Sequence, residues 1–449
     1  METLTLTQAA AGLASGELTA VQLTATALAK IADQQGEGAR TFTHVYGDWA
    51  RQQALAADRR RAAGNPLSVL DGVPVSVKDL FDVAGEATTA GSRVLADAPV
   101  ASAHAAVVAR LLQAGAVVIG KTNMTEFAYS GLGINPHYGT PANPWDRSAR
   151  HIPGGSSSGA AVAVADGMGF GAIGSDTGGS VRIPAAFCGL TGYKPTARRI
   201  NRSGLLPLSP SLDSIGVIAH DVAGCIALDT AIADLPLRPQ QKILSQARFA
   251  VPQTLVLEGL DDEVTAAFHL SLQRLTQAGA QIEFIPCQEF AELARINAAG
   301  GFSALESWRW HQSLMAKQAD GYDPRVLSRI RRGQWLDEQD LQQLQLLRAD
   351  WQRRAALTVQ GFDALLMPTV PFIAPTIAEL ERDDDAYFRI NGAALRNPSV
   401  INFLDGCALS LPCQAPGAAP VGLMIAGLPL QDEALLGWAL AVECCLADV

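Results

Sequence analysis

Two clusters of glycine and serine contain the residues of this chain that are best suited to chemistry. Residues 153–159 read Pro-Gly-Gly-Ser-Ser-Ser-Gly, and residues 176–180 read Asp-Thr-Gly-Gly-Ser. Dense glycine lets a backbone approach a ligand closely, and successive amide N–H groups in such a turn can converge on an anion. Serine adds a hydroxyl that can act as a nucleophile or carry a proton. The clusters are therefore candidates for a phosphate cradle or for an acyl-transfer site.

The sequence favours acyl transfer over phosphate binding. A phosphate loop usually follows the pattern GxxxxGK[ST], and no lysine follows either cluster at that spacing. A serine nucleophile needs a base, yet the GxSxG turn is absent and His151, just before the first cluster, has no obvious aspartate partner. Sites that pair serine with lysine are a known alternative to the Ser-His-Asp triad.

Lys78 is the candidate base. It follows an alternating, β-branched run that predicts a buried strand over residues 73–77. A lysine acts as a base only when it is neutral, and burial in a medium of low dielectric lowers its pKa toward that state. Most lysines lie on the surface, so this interpretation depends on the apolar strand that precedes the residue.

Alternating helices and short apolar strands must position these groups. The patterns predict two helices over 6–34, further helices over 48–63, 103–114, 262–279, 324–358 and 431–446, and strands over 73–77, 116–119, 281–285, 363–367 and 421–426. This alternation favours an α/β layered fold. Residues 160–165 contain only Ala and Val, which suits a buried helix, so residues 154–158 are predicted to form the turn into it rather than a flexible linker.

Composition and charge narrow the classes of function. The chain has 449 residues, 48% of them apolar, and a net charge of −10, which predict a folded protein that does not bind nucleic acid. No stretch of about 18 apolar residues predicts a membrane helix, and the N-terminus is unlike a signal peptide, so we expect no membrane partner and a cytoplasmic location. Seven cysteines without a CxxC pair and seven histidines without HExxH spacing predict no metal site. Arg329, Arg331 and Arg332 are predicted to lie on a solvated helix face.

Several segments together resemble the amidase signature family of serine hydrolases. They are the two clusters within 153–195 and the segments 72–79, 120–127, 135–140, 367–371 and 420–425. The resemblance covers nearly the whole chain. It implies a single α/β domain over 1–449, with a large twisted mixed β-sheet covered by helices on both faces. Within it, about 70–220 would form the signature core, and about 230–360 a variable, mainly helical region that shapes the substrate pocket.

When the catalytic residues of the family are matched to this sequence, the resemblance implies a triad of Lys78, Ser156 and Ser180. Ser180 would be the nucleophile, and Ser156 would relay a proton to neutral Lys78 from a position that typically follows a cis peptide bond. The family usually reads GGSSGG where this chain reads GGSSSG. Ser157 and Ser158 therefore remain alternative relays.

The loop around the nucleophile is expected to supply further groups. The implied oxyanion hole consists of the backbone N–H groups of Thr177, Gly178, Gly179 and Ser180. Two interpretations concern loop support: Asp176 and Arg182 form a structural ion pair, and Ser175 fixes the loop by hydrogen bonding. Candidate substrate contacts are Met124, Tyr129 and Ser157. For Met124 and Tyr129, packing in the core is an equally good interpretation. Candidates for the substrate entrance are Trp308 and Trp310.

The resemblance implies hydrolysis of a small carboxylic or urea-like amide through an acyl-Ser180 intermediate, without a metal or organic cofactor. Residues 302–310 differ from the run that the glutaminase subunit of the tRNA-dependent amidotransferase usually carries, which favours a stand-alone enzyme. That subunit, or another partner-dependent amidase, is the alternative. A homodimer is expected because cyclic dimers are the commonest oligomers.

Overall fold

The computed structural model describes residues 4–447, which form sixteen α-helices and eleven β-strands. The helices are α1 (Leu6–Ser15), α2 (Ala20–Ala32), α3 (Gly38–Thr41), α4 (Gly47–Ala62), α5 (Ala106–Gln113), α6 (Ser158–Ala165), α7 (Arg182–Cys188), α8 (Val222–Ile232), α9 (Asp262–Gln277), α10 (Gln288–Ile296), α11 (Gly301–Gln318), α12 (Pro324–Arg331), α13 (Glu338–Thr358), α14 (Ile377–Arg382), α15 (Asp384–Leu404) and α16 (Asp432–Ala447). The strands are β1 (Phe42–Val45), β2 (Pro74–Lys78), β3 (Val117–Thr122), β4 (Gly171–Asp176), β5 (Thr191–Lys194), β6 (Ser214–Ala219), β7 (Arg248–Pro252), β8 (Gln281–Ile285), β9 (Ala364–Pro368), β10 (Cys407–Pro412) and β11 (Gly422–Gly427).

The eleven described strands form one mixed sheet in the order β1-β3-β2-β4-β6-β5-β10-β11-β9-β7-β8. Strand β2 pairs in parallel with both β3 and β4, whereas β6 is antiparallel to β4 and to β5. The predicted α/β fold with a mixed sheet is confirmed.

Both faces of the central strands are buried. In β6, Val217 belongs to the large apolar core, while its neighbour Ile218 belongs to a second apolar cluster with residues of α6 and α7. Because successive strand residues point to opposite faces, apolar groups cover the sheet on both sides. This burial explains why β2 is completely excluded from solvent up to its last residue, Lys78.

Most predicted elements are present with small shifts at their ends. The strands predicted over 73–77 and 281–285 are β2 and β8, and the helix predicted over 262–279 is α9. Helix α2 begins with a capping box, since the Thr19 side chain accepts from the Gln22 N–H and the Gln22 side chain accepts from the Thr19 N–H. None of the helices within residues 4–447 has the length and apolar character needed to cross a membrane.

The sheet places two chain segments of interest side by side. Strands β2 and β4 run parallel in the register Val75 to Gly171 and Val77 to Ile173. Their carboxyl ends therefore lie at the same edge of the sheet. One of these strands ends at Lys78, and the other ends at Asp176, where the second glycine-serine cluster begins.

Candidate active site

Lys78 lies in the interior beside two serine hydroxyls. Its side chain is fully buried, and its Nζ lies 2.7 Å from Oγ of Ser156 and 2.9 Å from Oγ of Ser175. Burial lowers the pKa of Lys78 to about 7, although the negative charges of Asp176 and Asp213 oppose the shift. A substantial fraction of this amine is therefore neutral near neutral pH, as a base requires.

Ser156 reaches Lys78 from the turn that leads into α6. The Gly155–Ser156 peptide bond is cis, as expected. The turn is closely packed: a Cβ atom on Gly155 would lie 2.5 Å from the backbone nitrogen of Gly133. Glycine is required at this position because no side chain fits between the two backbone segments.

Ser180 lies on the turn between β4 and α7. Gly179 before it has a φ of +122°, and a Cβ atom there would lie 2.5 Å from the Pro398 side chain on α15. Both observations explain the glycine, since L-residues rarely adopt this φ and no space remains for a side chain. Ser180 is only 3% exposed, and it lines a cavity together with Thr177 and Gly178.

The turn is held by a buried ion pair. The Asp176 carboxylate accepts from Nε of Arg182 at 3.0 Å and from its Nη2 at 2.9 Å, and both side chains are fully buried. The amide of Asn402, on α15, donates to the same carboxylate at 2.9 Å. Burial alone would raise the pKa of Asp176, but the charge and hydrogen bonds of Arg182 outweigh it and lower that pKa. Asp176 therefore stays ionised and fixes the turn from inside.

One of the four amides expected to form the oxyanion hole is already engaged. The Gly179 N–H donates to Oδ1 of Asp176 at 2.8 Å, so it binds the supporting carboxylate instead of facing the cavity. The cavity-lining residues Thr177, Gly178 and Ser180 remain as candidates for anion-binding amides. The Thr177 side chain also donates to Asp213 at 2.6 Å, which ties the start of the turn to the loop before β6.

The cavity beside Ser180 has a volume of about 360 Å³. This value lies at the lower end of the roughly 300–1,000 Å³ that is typical of small-molecule sites. Its walls come from the nucleophile turn, from residues 293–303, from the end of α12 and from α15. Its charged lining residues are Arg329, Arg332 and Arg396.

Two of the three predicted substrate contacts do not reach this cavity, whereas Tyr129 lines it. Met124 is fully buried in the core, where its carbonyl accepts from the Asn135 side chain. Ser157 is also fully buried, and its Oγ lies 3.4 Å from the carbonyl of Ser175 in β4, away from the cavity. The structure therefore does not bring Met124 and Ser157 to the cavity beside Ser180, and their contact with a substrate stays a prediction.

The tryptophans of α11 likewise lie away from the cavity. Trp308 packs against the main apolar core, and the Trp310 ring lies against Phe127 and His311. Arg329 and Arg332, predicted on a solvated helix face, both line the cavity. Arg332 is exposed as that prediction expects, whereas Arg329 is partly buried. Their position depends on how α12 packs against other elements, so the local sequence pattern carried no signal for it.

Within residues 4–447, no group of three or more His, Cys, Asp or Glu side chains is arranged to hold a metal ion.

Comparisons with known proteins identify the family of this chain. A family model described as Amidase matches residues 22–436. The chain is 36% identical to the 2-amino-5-chloromuconic acid deaminase of Comamonas testosteroni, over 98% of this chain and 96% of that protein. It is 35% identical to a glutamyl-tRNA(Gln) amidotransferase subunit of Chloroflexus aggregans, over 96% of this chain and 94% of that protein.

A solved structure reported as an amidase superposes with a TM-score of 0.88 at 30% identity, covering 99% of this chain and all of the other. Sequence and structure thus lead to the same assignment, and the chain belongs to the amidase family of enzymes that act on amide C–N bonds.

Proposed function

We propose that this chain hydrolyses a small amide through an acyl-enzyme intermediate on Ser180. The observation that carries the proposal is the buried Lys78 amine, which lies 2.7 Å from Oγ of Ser156 and has a pKa of about 7. A lysine in this state can accept a proton from a serine hydroxyl, which is the step that a serine hydrolase without a histidine base needs.

The reaction divides into acylation and deacylation. Neutral Lys78 takes the proton of Ser156, Ser156 takes the proton of Ser180, and the Ser180 oxygen attacks the carbonyl carbon of the substrate. The C–N bond then breaks as Ser156 returns a proton to the leaving nitrogen. Water hydrolyses the acyl-Ser180 ester by the same proton relay, which restores the serine and releases a carboxylate.

The oxyanion that forms during attack needs hydrogen-bond donors that are already oriented. We assign this role to the backbone N–H groups of Thr177, Gly178 and Ser180, because these residues line the cavity and the Gly179 N–H is held by Asp176. Loss of one such donor typically lowers kcat by about 10²–10³. The supporting ion pair of Asp176 and Arg182 keeps the turn fixed, so its amides need no reorganisation during the reaction.

The relatives support two hypotheses about whether this chain acts alone or with a partner protein. The Comamonas relative is a deaminase of a small organic acid, which favours a stand-alone enzyme with a small substrate. The Chloroflexus relative belongs to an amidotransferase and is nearly as similar, which keeps a partner-dependent glutaminase as the second candidate. A homodimer and a cytoplasmic location remain predictions from the sequence.

Ammonia release by the purified chain tests the proposal and separates these candidates. We expect turnover of simple amides without any partner, complete loss in Ser180→Ala, and labelling of Ser180 by a fluorophosphonate. Ser156→Ala should lose most activity, whereas the matched variant Ser158→Ala should retain it, because Ser158 lies near the Asn123 carbonyl and not near Lys78.

Two results would argue against parts of the proposal. Activity only after addition of a partner protein would favour the amidotransferase reading. Full turnover by Ser180→Ala would exclude the acyl-enzyme mechanism.

A further inference from the structure

The cavity beside Ser180 carries positive charge on its walls. Three arginines line it, and none of its lining residues is Asp or Glu. Within residues 4–447, no carboxylate lies within 4.0 Å of the guanidinium groups of Arg329, Arg332 or Arg396 in an ion pair. The nearest carboxylate influence is on Arg396, where the charge of Glu258 acts from beyond that distance. Charged groups at a ligand site that form no ion pair with the protein are suited to bind an anion.

Arg329 and Arg332 form one wall of this cavity. Arg329 lies in the last turn of α12, and its guanidinium stacks over the ring of Tyr129, with 4.5 Å between its Cζ and the ring centroid. Arg329 also forms a side-chain hydrogen bond with Tyr129, and the other N–H groups of its guanidinium can donate to a ligand. Arg332 follows directly after α12, where it donates from Nη2 to the Ala298 carbonyl at 3.1 Å. The two residues are three positions apart, so their side chains can reach the same ligand group.

Arg396 lines the cavity from a different element, α15. The cavity-lining residues Gly392, Arg396, Ser399 and Phe403 recur every three or four positions and thus lie on one helix face. This face approaches the nucleophile turn, since Ser399 Oγ lies 3.4 Å from the Gly178 carbonyl. Arg396 donates from Nε to Asn397 and from Nη2 to the Glu258 carbonyl, so two of its five N–H groups are engaged.

We propose that Arg329, Arg332 and Arg396 select a small substrate that carries two carboxylate groups. Arg329 and Arg332 would bind one carboxylate, Arg396 would bind the other, and the scissile C–N bond would face Ser180. The inference rests on the proposed function, because it assumes that the cavity beside Ser180 is the substrate site.

The same charges disfavour glutamine as the substrate. Glutamine carries an α-ammonium group next to its carboxylate, and the lining residues of the cavity offer no acidic side chain to pair with it. A buried or partly buried ammonium among arginines is unfavourable, because like charges repel and the medium screens them weakly. The cavity therefore favours a dianion over this zwitterion.

Four amides that differ in charge test the selection: butyramide (neutral), glutaramate (one carboxylate), the monoamide of tricarballylic acid (two carboxylates) and glutamine. We expect kcat/KM to rise in the order butyramide, glutaramate, tricarballylate monoamide, and to stay low for glutamine. Arg329→Gln should lower kcat/KM for the dicarboxylate at least about tenfold, mainly through KM, because a charge-assisted hydrogen bond is lost. The same variant should lower kcat/KM for butyramide by a smaller factor than for the dicarboxylate, and Arg329→Lys should recover part of the loss.

Arg331 provides the matched control for these variants. It lies between the two wall residues in sequence, is exposed, and is not among the residues that line the cavity. Arg331→Gln removes the same charge and should leave all four rates unchanged. Preference for butyramide or glutamine, or an equal loss of all substrates in Arg329→Gln, would overturn the selection proposal.

Binding to the inactive enzyme separates this inference from the proposed reaction. Calorimetric titration of Ser180→Ala with glutarate, a dicarboxylate, should show binding that weakens with added salt and in Arg329→Gln, but not in Arg331→Gln. If the protein binds glutarate but hydrolyses no amide, the proposed function is refuted and the proposed anion site is supported. If the protein hydrolyses amides but does not bind glutarate, the proposed anion site is refuted and the proposed function is supported.

Discussion

Acidification should switch off the proposed proton relay through Lys78. Burial places the pKa of this amine at about 7. The neutral fraction is then about one half at pH 7, about one tenth at pH 6 and about one hundredth at pH 5. If the neutral amine is the base, kcat/KM should fall about tenfold for each pH unit below 7 and reach a plateau above about pH 8.

The assay is ammonia release from a neutral amide at low substrate concentration between pH 5 and pH 9. A neutral amide is needed because its own charge does not change over this range. Asp213 is a second group that titrates within this pH range. Burial raises its pKa to about 6, although the hydrogen bond from Thr177 acts to lower it. Asp213→Asn removes that titration and leaves an oxygen to accept the bond, so the decline that begins near pH 7 should persist in this variant.

Two results would refute this account of Lys78. One is a flat profile from pH 5 to pH 8, which would show that no group with a pKa near 7 controls the reaction. The other is a Lys78→Met variant that keeps most of its activity at neutral pH. The rate of fluorophosphonate labelling of Ser180 gives an independent check, because it should follow the same pH profile without any substrate.

The remaining predictions concern stability. At pH 7, Lys78→Met should raise the free energy of unfolding by about 1–3 kcal/mol in urea titrations, because the cost of burying the amine outweighs its lost hydrogen bonds. The pKa of Lys78 is lower in the folded protein than in the unfolded chain, so the unfolded chain binds more protons between pH 7 and 10.5. The stability gained by Lys78→Met should therefore shrink as the pH rises toward 10.5. Gly179→Ala should cost about 2–5 kcal/mol from strain and overlap, whereas Gly417→Ala, with a φ of +79° and open space, should cost about 1 kcal/mol. Arg182→Met should cost about 3–5 kcal/mol in the same assay, because it leaves the buried Asp176 without its cation.

Sequence alone was informative where a residue type has few structural uses. Paired glycines next to serine predicted both turns, and the strand before Lys78 predicted a buried lysine, which the structure contains. Strand β4 was missed because Gly171–Asp176 holds one β-branched residue, Ile173, and otherwise small or polar ones. Its place in the sheet is set by pairing with β2 and β6, which a local pattern does not show.

The walls of the cavity could not be predicted for the same reason. Arg329 and Arg332 lie in a polar helical segment that is typical of a solvated surface, and Arg396 lies 64 positions further along the chain than Arg332. Only the packing of α12 and α15 around the nucleophile turn brings the three arginines to one space. Met124 is the opposite case, since its place in the sequence suggested the site, whereas its side chain is enclosed by the core.

The arrangement of the cavity has a consequence for the evolution and engineering of this enzyme. The groups that are proposed to break the bond come from β2, the turn before α6 and the turn after β4, whereas α12 and α15 contribute the arginines of the walls. Mutations in α12 and α15 can therefore change which molecule is accepted without altering the reacting groups. Gly392 is a useful starting position, because it lines the cavity and a Cβ atom there would meet no other atom within 4 Å. A library that varies Gly392, Arg329 and Arg396 should yield new substrate preferences on an unchanged reaction.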